Sequence, residues 1–143
     1  MGTAAAERLN GARTGFDQLY GLEFLSLSET EVRARVVVRA ELKQPVGLVH
    51  GGVYAAMAES MASFGTDVIV REQGEAAMGL SNSTSFLRPI TEGTIHGLAT
   101  RVHRGRTTWV WDVRFSDDAD HTCAITRMTI AVRPAPARAG ATG

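Results

Sequence analysis

Hydrophobic residues recur with a period of two along most of the chain, the pattern of strands with one buried face. The clearest case runs from Val32 to Ala40, where apolar residues alternate mainly with arginine. The pattern predicts six strands, at residues 22–28, 32–40, 77–87, 94–103, 107–115 and 122–132. Gly and Asp residues punctuate the later strands, so we expect antiparallel hairpins.

A period of three to four residues is sustained only once, between residues 48 and 74. The apolar stripe consists of Val53, Met57, Met61, Phe64 and Val68. It predicts a long helix with one side in the core, and Glu72-Gln73-Gly74 is typical of its end. Residues 16–20 predict one further helical turn before the first strand. Two strands before this long helix and four after it indicate an α+β domain, with one antiparallel sheet packed on one helix.

The composition favours a single soluble domain. At 143 residues the chain is long enough for one core, which we place at residues 15–134. We expect flexible ends at residues 1–14 and 135–143, because both are rich in small and polar residues. Fifteen basic and fifteen acidic residues cancel, which argues against nucleic acid or an acidic membrane as a partner.

The cysteine and histidine content limits which disulfides and metal sites the chain can form. Cys123 is the single cysteine, so an internal disulfide is excluded, and no Cys/His cluster has the spacing of a metal site. No segment approaches the length of a membrane span. We therefore expect a cytoplasmic protein that needs no metal or cofactor.

Glu59 is the most unusual residue of the predicted helix. It is the one charged residue between His50 and Asp67, and its neighbours on the same helix side are Gly, Ala and Ser. A carboxylate in so apolar a segment must be paired, hydrogen-bonded or perturbed, and such groups are enriched at active sites. Ser63 lies one turn further on, where its hydroxyl can reach Glu59 or a neighbouring water. The alternative is a buried structural carboxylate satisfied by backbone donors.

Gly51 and Gly52 stand at the start of this helix. Its first N–H groups are unsatisfied, and glycine lets a ligand oxygen approach them, an arrangement that suits a developing oxyanion. The alternative is that the glycines only allow tight packing against a sheet. Eight residues at ~1.5 Å rise separate Gly51 from Glu59 by about 12 Å along the axis. Both groups can act on one carbonyl only if a second chain supplies one of them, so we predict a composite site in a two-fold homodimer.

Four segments together resemble the hotdog-fold acyl-CoA thioesterases, most of all the Arthrobacter-type 4-hydroxybenzoyl-CoA thioesterases. The segments are residues 48–52 with Glu59, residues 83–89, residues 107–112 and residues 130–134. The resemblance covers nearly all of residues 42–134. It implies a sheet of five to six strands wrapped around the central helix, and a tetramer built from two-fold dimers. It also implies metal-free hydrolysis of an acyl-CoA, with an aromatic acyl group such as 4-hydroxybenzoyl favoured.

The same resemblance assigns roles at the reacting carbonyl. The Gly51 N–H would hydrogen-bond the thioester oxygen, and Gln44 would help to position it. Glu59 of the facing subunit would be the nucleophile or the general base, and the choice between an anhydride intermediate and direct attack by water stays open. Ser63 stands where the family has a threonine that assists Glu59. His50 is expected to cap or wall the helix start.

Contacts to the CoA half also follow from the resemblance. Arg88 matches a basic residue that meets the nucleotide phosphates, and Thr107 matches a pantetheine contact. Arg106 stands where the family has a small hydroxyl residue, and Arg104 is a neighbouring arginine at a strand end. The family's C-terminal arginine falls at a proline here, with Arg138 as the nearest substitute.

Rival functions remain open at this point. A hotdog dehydratase needs a histidine and a carboxylate around a longer acyl tunnel, whereas His50 is followed at once by two glycines. A non-catalytic acyl-CoA-binding protein would keep the arginines without needing Glu59. Within the thioesterases, a broad-range or phenylacetyl-CoA-type enzyme is the alternative. We expect Trp109 and Trp111 to pack in the core and not to contact the acyl group.

Overall fold

The computed structural model describes residues 2–137, in which six antiparallel strands pack on one long helix. The strands are β1 (Glu23–Leu27), β2 (Glu31–Val37), β3 (Glu75–Phe86), β4 (Thr94–Arg104), β5 (Thr108–Ser116) and β6 (Thr122–Pro134). The helices are α1 (Gly2–Gly11), α2 (Gly15–Tyr20) and α3 (Gly51–Val70), with 3-10 turns at Ala40–Leu42 and Arg71–Gln73. The predicted α+β fold, six strands and one long helix, is confirmed.

The spatial order of the strands is β1-β2-β4-β5-β6-β3. The hairpins expected at β4–β5 and β5–β6 are present, and every neighbouring pair is antiparallel. β3 does not pair with β4, the next strand in the chain. Residues 87–93 instead carry the chain from β3, at one edge of the sheet, to β4 in its middle. The crossover places the end of β3 beside the start of α3.

The core lies between α3 and the inner face of the sheet. Met57, Ala58, Met61 and Ala62 of α3 are fully buried, and Val53 is nearly so, as the apolar stripe predicts. Phe64 and Val68 are only partly buried because they lie on the flank of the stripe. The two tryptophans are buried packing residues, as expected. Gly65 is needed where Val32 and Trp111 meet the helix, since a Cβ there would lie 2.8 Å from Val32 Cγ2 and 3.0 Å from Trp111 Cη2.

A buried hydrogen-bond chain joins the sheet to the helix. Trp111 Nε1 donates to Thr66 Oγ1 at 3.0 Å, and Thr66 Oγ1 donates to the Ala62 carbonyl at 2.9 Å. Thr66→Val keeps the shape but leaves the indole N–H unsatisfied. We expect the free energy of unfolding to fall by about 1–3 kcal/mol, measured by urea denaturation. The matched control is Thr30→Val on an exposed turn, which should change it by less than about 0.5 kcal/mol; equal effects would contradict the assignment.

The N-terminal segment differs from the flexible stretch that its composition predicts. Residues 2–11 form α1, whose Ala5 and Ala6 are buried against β1. The Asn10 side chain donates to the Phe24 carbonyl and accepts from the Phe24 N–H, both at 2.8 Å. Small residues allow this close packing, which composition alone does not distinguish from disorder. Residues 138–143, with Arg138 and most of the predicted tail, lie outside the described residues.

The two edge strands of the sheet, β1 and β3, differ in whether another element covers them. α1 covers the β1 edge, whereas β3 pairs on one side only within residues 2–137. β3 is twelve residues long and carries exposed Met78, Leu80 and Phe86, at 52%, 58% and 61% exposure. Proteins normally protect long apolar edges because such edges pair with other strands. The β3 edge is therefore suited to pairing with a second chain.

Candidate active site

Among the described residues, the start of α3 presents one free backbone donor. His50 is the N-cap residue, and its Nδ1 accepts a hydrogen bond of 2.9 Å from the Gly52 N–H. The Val53 N–H donates to the His50 carbonyl at 3.0 Å. The Gly51 N–H has no acceptor within residues 2–137. The capping role expected for His50 thus leaves Gly51 as the donor available to a ligand oxygen.

A cleft of about 360 Å³ opens beside this donor and is called here the arginine cleft. Gln44, Gly51, Phe86, Arg88 and Cys123 are among its lining residues. A Cβ on Gly51 would lie 2.6 Å from Phe86 Cζ, so only glycine lets the phenyl ring cover the helix start. Three residues predicted from distant parts of the sequence, Gln44, Gly51 and Arg88, are therefore brought together.

Arg88 reaches the mouth of the arginine cleft with its charge available. Its side chain is 54% exposed, and Asp117 lies 4.0 Å from its Nε, at the limit of an ion pair. Asp117 itself accepts hydrogen bonds from the backbone N–H and from Nδ1 of His121. The His121 backbone N–H lowers the pKa of Asp117, which stays ionised at neutral pH. Asp117 is thus mainly engaged by His121, and Arg88 can turn to an anion.

Glu59 is not buried, which corrects the expectation of a paired or hydrogen-bonded carboxylate. It is exposed, and it accepts no hydrogen bond from residues 2–137. It stands beside β3, where a Cβ on Gly79 would lie 3.7 Å from Glu59 Oε1. A bulge interrupts the β3–β6 pairing between Gly79 and Ser81 at this point. Glu59 therefore lies where the unpaired edge of the sheet meets the helix.

The side of α3 opposite its buried apolar stripe explains this exposure. At 100° per residue, Gly52, Ala56, Glu59 and Ser63 share that side, and none is fully buried. Ser63 is half-buried and makes no hydrogen bond to Glu59 within residues 2–137. The small residues that suggested a close contact leave an open strip in the isolated chain. Glu59 is the one charge on this strip.

The other predicted CoA contacts lie at the far end of α3. Along β5, Trp111 comes first and hydrogen-bonds Thr66 in the last turns of α3. Phe115 comes later, and the centre of its ring lies 5.5 Å from that of Tyr54 in the first turn of α3. Thr107 precedes β5 and lies beyond the C-terminal end of α3, together with Arg104 and Arg106. A helix of 20 residues is about 30 Å long. Within one chain, these three residues lie too far from the arginine cleft to contact the thioester of a substrate bound there.

Arg104 is also engaged elsewhere. Its guanidinium lies 4.9 Å from the centre of the Trp109 ring, and that of Arg101 lies 5.0 Å from the same ring. These cation–π contacts cover the buried tryptophan. Thr107 and Arg106 have exposed side chains. Arg104 is thus the weaker candidate of the three for a substrate contact.

A second cleft, of about 500 Å³, lies on the other side of the helix start and is called here the α2 cleft. Phe16, Leu19, Lys43, Gly52 and Val53 contribute to its lining. Sequence reasoning assigned the first two only to a helical turn. Their apolar character on a short helix was the available signal, but nothing local showed that α2 lies beside the His-Gly-Gly segment.

Residues 2–137 contain no group of His, Cys, Asp and Glu side chains that could hold a metal ion. No helix in the same range is both long and apolar enough to cross a membrane.

Residues 46–124 match the thioesterase superfamily. The chain belongs to this superfamily. Three similar proteins carry an esterase, an acyl-CoA hydrolase and a thioesterase name. The Rv1847 protein of Mycobacterium tuberculosis is 41% identical over 111 residues, which are 76% of this chain and 79% of that protein. The 1,4-dihydroxy-2-naphthoyl-CoA hydrolase of Listeria monocytogenes is 30% identical over 119 residues, covering 83% and 96%.

A solved structure extends the likeness to three dimensions. A mutant of thioesterase PA1618 from Pseudomonas aeruginosa superposes with a TM-score of 0.87 and 32% identity, covering 91% of this chain and 94% of that one. The expected hotdog fold is confirmed. The chain is a thioester hydrolase. Its function is therefore neither that of a dehydratase nor that of a non-catalytic acyl-CoA-binding protein.

Proposed function

We propose that this thioesterase hydrolyses an aromatic acyl-CoA, such as 4-hydroxybenzoyl-CoA, to the free acid and CoA. The similar Listeria protein is named for an aromatic acyl-CoA, which supports an aromatic substrate here. The match of residues 83–89 and 107–112 to the 4-hydroxybenzoyl-CoA type supports the same class. A broad-range or phenylacetyl-CoA-type thioesterase is the alternative within the family.

The active unit in this proposal is a homodimer joined at the β3 edges, with two such dimers forming a tetramer. Its basis is that Gly51 and Glu59 lie about 12 Å apart along one helix, too far for a single carbonyl. Glu59 is exposed on the open strip, beside the edge of β3 that pairs with no strand of residues 2–137 and that carries large exposed apolar side chains. A two-fold axis near β3 runs the two α3 helices antiparallel, so each Glu59 approaches the other chain's Gly51.

The same symmetry reconciles the separated CoA contacts. Thr107 and Arg106 lie beyond the C-terminal end of α3, and antiparallel helices bring that end toward the partner's helix start. One chain then supplies Gln44, Gly51 and Arg88 to each substrate. Its partner supplies Glu59, Ser63 and the hairpin that carries Thr107.

In the proposed reaction the Gly51 N–H donates to the thioester oxygen as it gains negative charge, and Gln44 holds the same group. Glu59 either attacks the carbonyl carbon or removes a proton from the attacking water. A C–O bond forms, the C–S bond breaks, and the CoA thiolate leaves and takes up a proton. By the direct route the oxygen of water forms the new C–O bond. By the nucleophilic route Glu59 forms it, and water then hydrolyses the resulting anhydride, which breaks the bond to Glu59, releases the acid and restores the carboxylate. Ser63 holds Glu59 or the water in place.

The observation that carries this proposal is that the helix-start N–H of Gly51 and the exposed carboxylate of Glu59 both have no partner within residues 2–137. Its test is a panel of 4-hydroxybenzoyl-, benzoyl-, phenylacetyl-, acetyl- and decanoyl-CoA, compared by kcat/KM. We expect the aromatic thioesters with the carbonyl on the ring to exceed the aliphatic ones at least about tenfold. An equal or higher value for decanoyl-CoA would refute the aromatic assignment.

The contribution of Arg88 can be separated from the chemistry. Arg88→Ala should raise KM for an aromatic acyl-CoA about tenfold with little change in kcat, because one phosphate contact is lost far from the carbonyl. The same variant should hydrolyse the truncated pantetheine thioester as the wild type does. Arg33→Ala, an exposed arginine paired with Glu31 on β2, is the control. Equal losses on both substrates would show that Arg88 acts on structure and not on phosphate.

A further inference from the structure

We infer that the α2 cleft holds the acyl group of the substrate, and that Phe16 and Leu19 on α2 set which acyl groups fit. The inference rests on the proposed function, because it assumes a thioester bound at the start of α3. It assigns a binding site to the acyl half of the substrate, for which the arginine cleft does not account.

The first argument is the position of the two clefts. Gly51 lines the arginine cleft and Gly52 lines the α2 cleft, so the helix start forms the wall between them. A thioester carbonyl held at the Gly51 N–H has two substituents that must leave in different directions. Arg88 marks the arginine cleft as the exit for the phosphate-bearing CoA arm. The acyl group then enters the opposite cleft.

The second argument is the character of the α2 wall. Phe16 and Leu19 are 64% and 69% exposed, a large apolar surface for a helix of six residues. Val53 extends that surface at the foot of the cleft. Ligand sites are typically concave and mostly apolar, with volumes of roughly 300–1,000 Å³, and the α2 cleft fits this description. An aromatic ring would cover the exposed side chains.

α2 is held firmly enough to act as a wall. Asp17 accepts hydrogen bonds from Tyr20 at 2.9 Å and from Ser60 of α3 at 2.7 Å. Arg39 donates to the backbone carbonyls of Leu19 and Tyr20 at the end of α2. Burial raises the pKa of the Tyr20 phenol, which therefore remains a donor at neutral pH. The exposure of Phe16 and Leu19 is thus built in and is not the result of a loose segment.

Lys43 gives the cleft a polar end. Its half-buried side chain lines the α2 cleft and has no carboxylate partner within residues 2–137, whereas nearby Arg39 is paired with Glu41 at 3.5 Å. A cation beside an apolar wall favours an acyl ring that carries a hydroxyl or another electron-rich substituent. The preferred acyl group is therefore a hydroxylated aromatic ring.

A second copy of the chain is the other possible occupant of this surface. The acyl group is favoured because His50 and Gly52, which belong to the helix start, also line the cleft. The unpaired β3 edge already supplies an apolar surface for association. Covering the α2 cleft with a second copy would leave the thioester's acyl side without space.

The test uses binding as well as turnover, so that it does not depend on hydrolysis. Two ketone analogues of the thioester, phenacyl-CoA and acetonyl-CoA, are titrated into the wild type, Phe16→Ala, Leu19→Ala and the control Val102→Ala. Both α2 variants should weaken phenacyl-CoA about tenfold or more and change acetonyl-CoA less than about threefold. The kcat/KM for benzoyl-CoA relative to acetyl-CoA should fall in parallel. Val102→Ala, an exposed apolar residue of β4, should change neither.

Lys43→Met tests the polar end. It should reduce the preference for 4-hydroxybenzoyl-CoA over benzoyl-CoA several-fold, measured as the ratio of the two kcat/KM values. An unchanged preference would overturn the assignment of a hydroxylated ring.

Several outcomes overturn the inference about the cleft. Equal losses on both ketones, weaker binding of free CoA, or a change of oligomeric state by sedimentation in the α2 variants would each assign the cleft to something other than the acyl group. The α2 variants could lose phenacyl-CoA binding selectively while the wild type hydrolyses no aromatic thioester. That result would refute the proposed function but retain the assignment of the cleft to the acyl group.

Discussion

Glu59→Gln lowers kcat for aromatic acyl-CoA by about 10²–10⁴-fold in our expectation, the contribution typical of one catalytic base. The amide keeps the size of the side chain but can neither attack the carbonyl nor accept a proton from water. Glu59 is exposed in the protomer and forms no ion pair within residues 2–137, so the fold should be unaffected. Steady-state kinetics, together with titration of phenacyl-CoA, separate lost chemistry from lost binding.

The matched control is Glu72→Gln, which makes the same change of charge at an exposed position just beyond α3. Its kcat should stay within about twofold of the wild type. If Glu59→Gln also stays within that range, Glu59 does not carry the chemistry. If Glu59→Gln instead loses phenacyl-CoA binding with kcat retained, its role is in substrate binding.

Mixed dimers provide the second large effect. Gly51→Val places a side chain where an added Cβ would lie 2.6 Å from Phe86 Cζ, which closes the helix start to the thioester. Dimers of this variant and dimers of Glu59→Gln should each be nearly inactive. A dimer with one chain of each has one intact site, built from Gly51 of the Glu59→Gln chain and Glu59 of the Gly51→Val chain. Its rate should recover to about one quarter to one half of the wild-type rate.

Two affinity tags on co-expressed chains isolate the mixed dimers, and far-UV circular dichroism checks that Gly51→Val folds. Phe86 is exposed, so its ring can swing away from the new side chain without disturbing the core. A site contained within one chain would give no recovery, because each chain of the mixed dimer carries one defect. That result would remove the composite site even if Glu59 were confirmed as catalytic.

Local pattern was enough for most of the fold. The period-two alternation in β2 and the apolar stripe of α3 reflect contacts that each element makes with the same core, so periodicity reveals both the elements and their buried faces. The same reasoning identified the tryptophans of β5 as core residues. It failed at α1, because short runs of alanine suit both a packed helix and a disordered end.

The candidate site was only partly visible in the sequence. The helix start and Glu59 could be singled out because glycine pairs and isolated carboxylates stand out from their neighbours. The clustering of Gln44, Gly51 and Arg88 required the chain to return from β3 to α3, a contact between distant segments. The α2 cleft was missed for the same reason, since no local pattern tells which element a six-residue helix packs beside.

The sequence by itself determined the six strands and α3, the core-facing side of α3 and the separation of Gly51 from Glu59, because these depend on the order of residues and the rise of a helix. Only the tertiary structure decided that β3 lies at an open edge, that Glu59 is exposed beside it, and that two clefts flank the helix start. Those features depend on which strands pair, and pairing is decided by the combined burial of residues far apart in the chain.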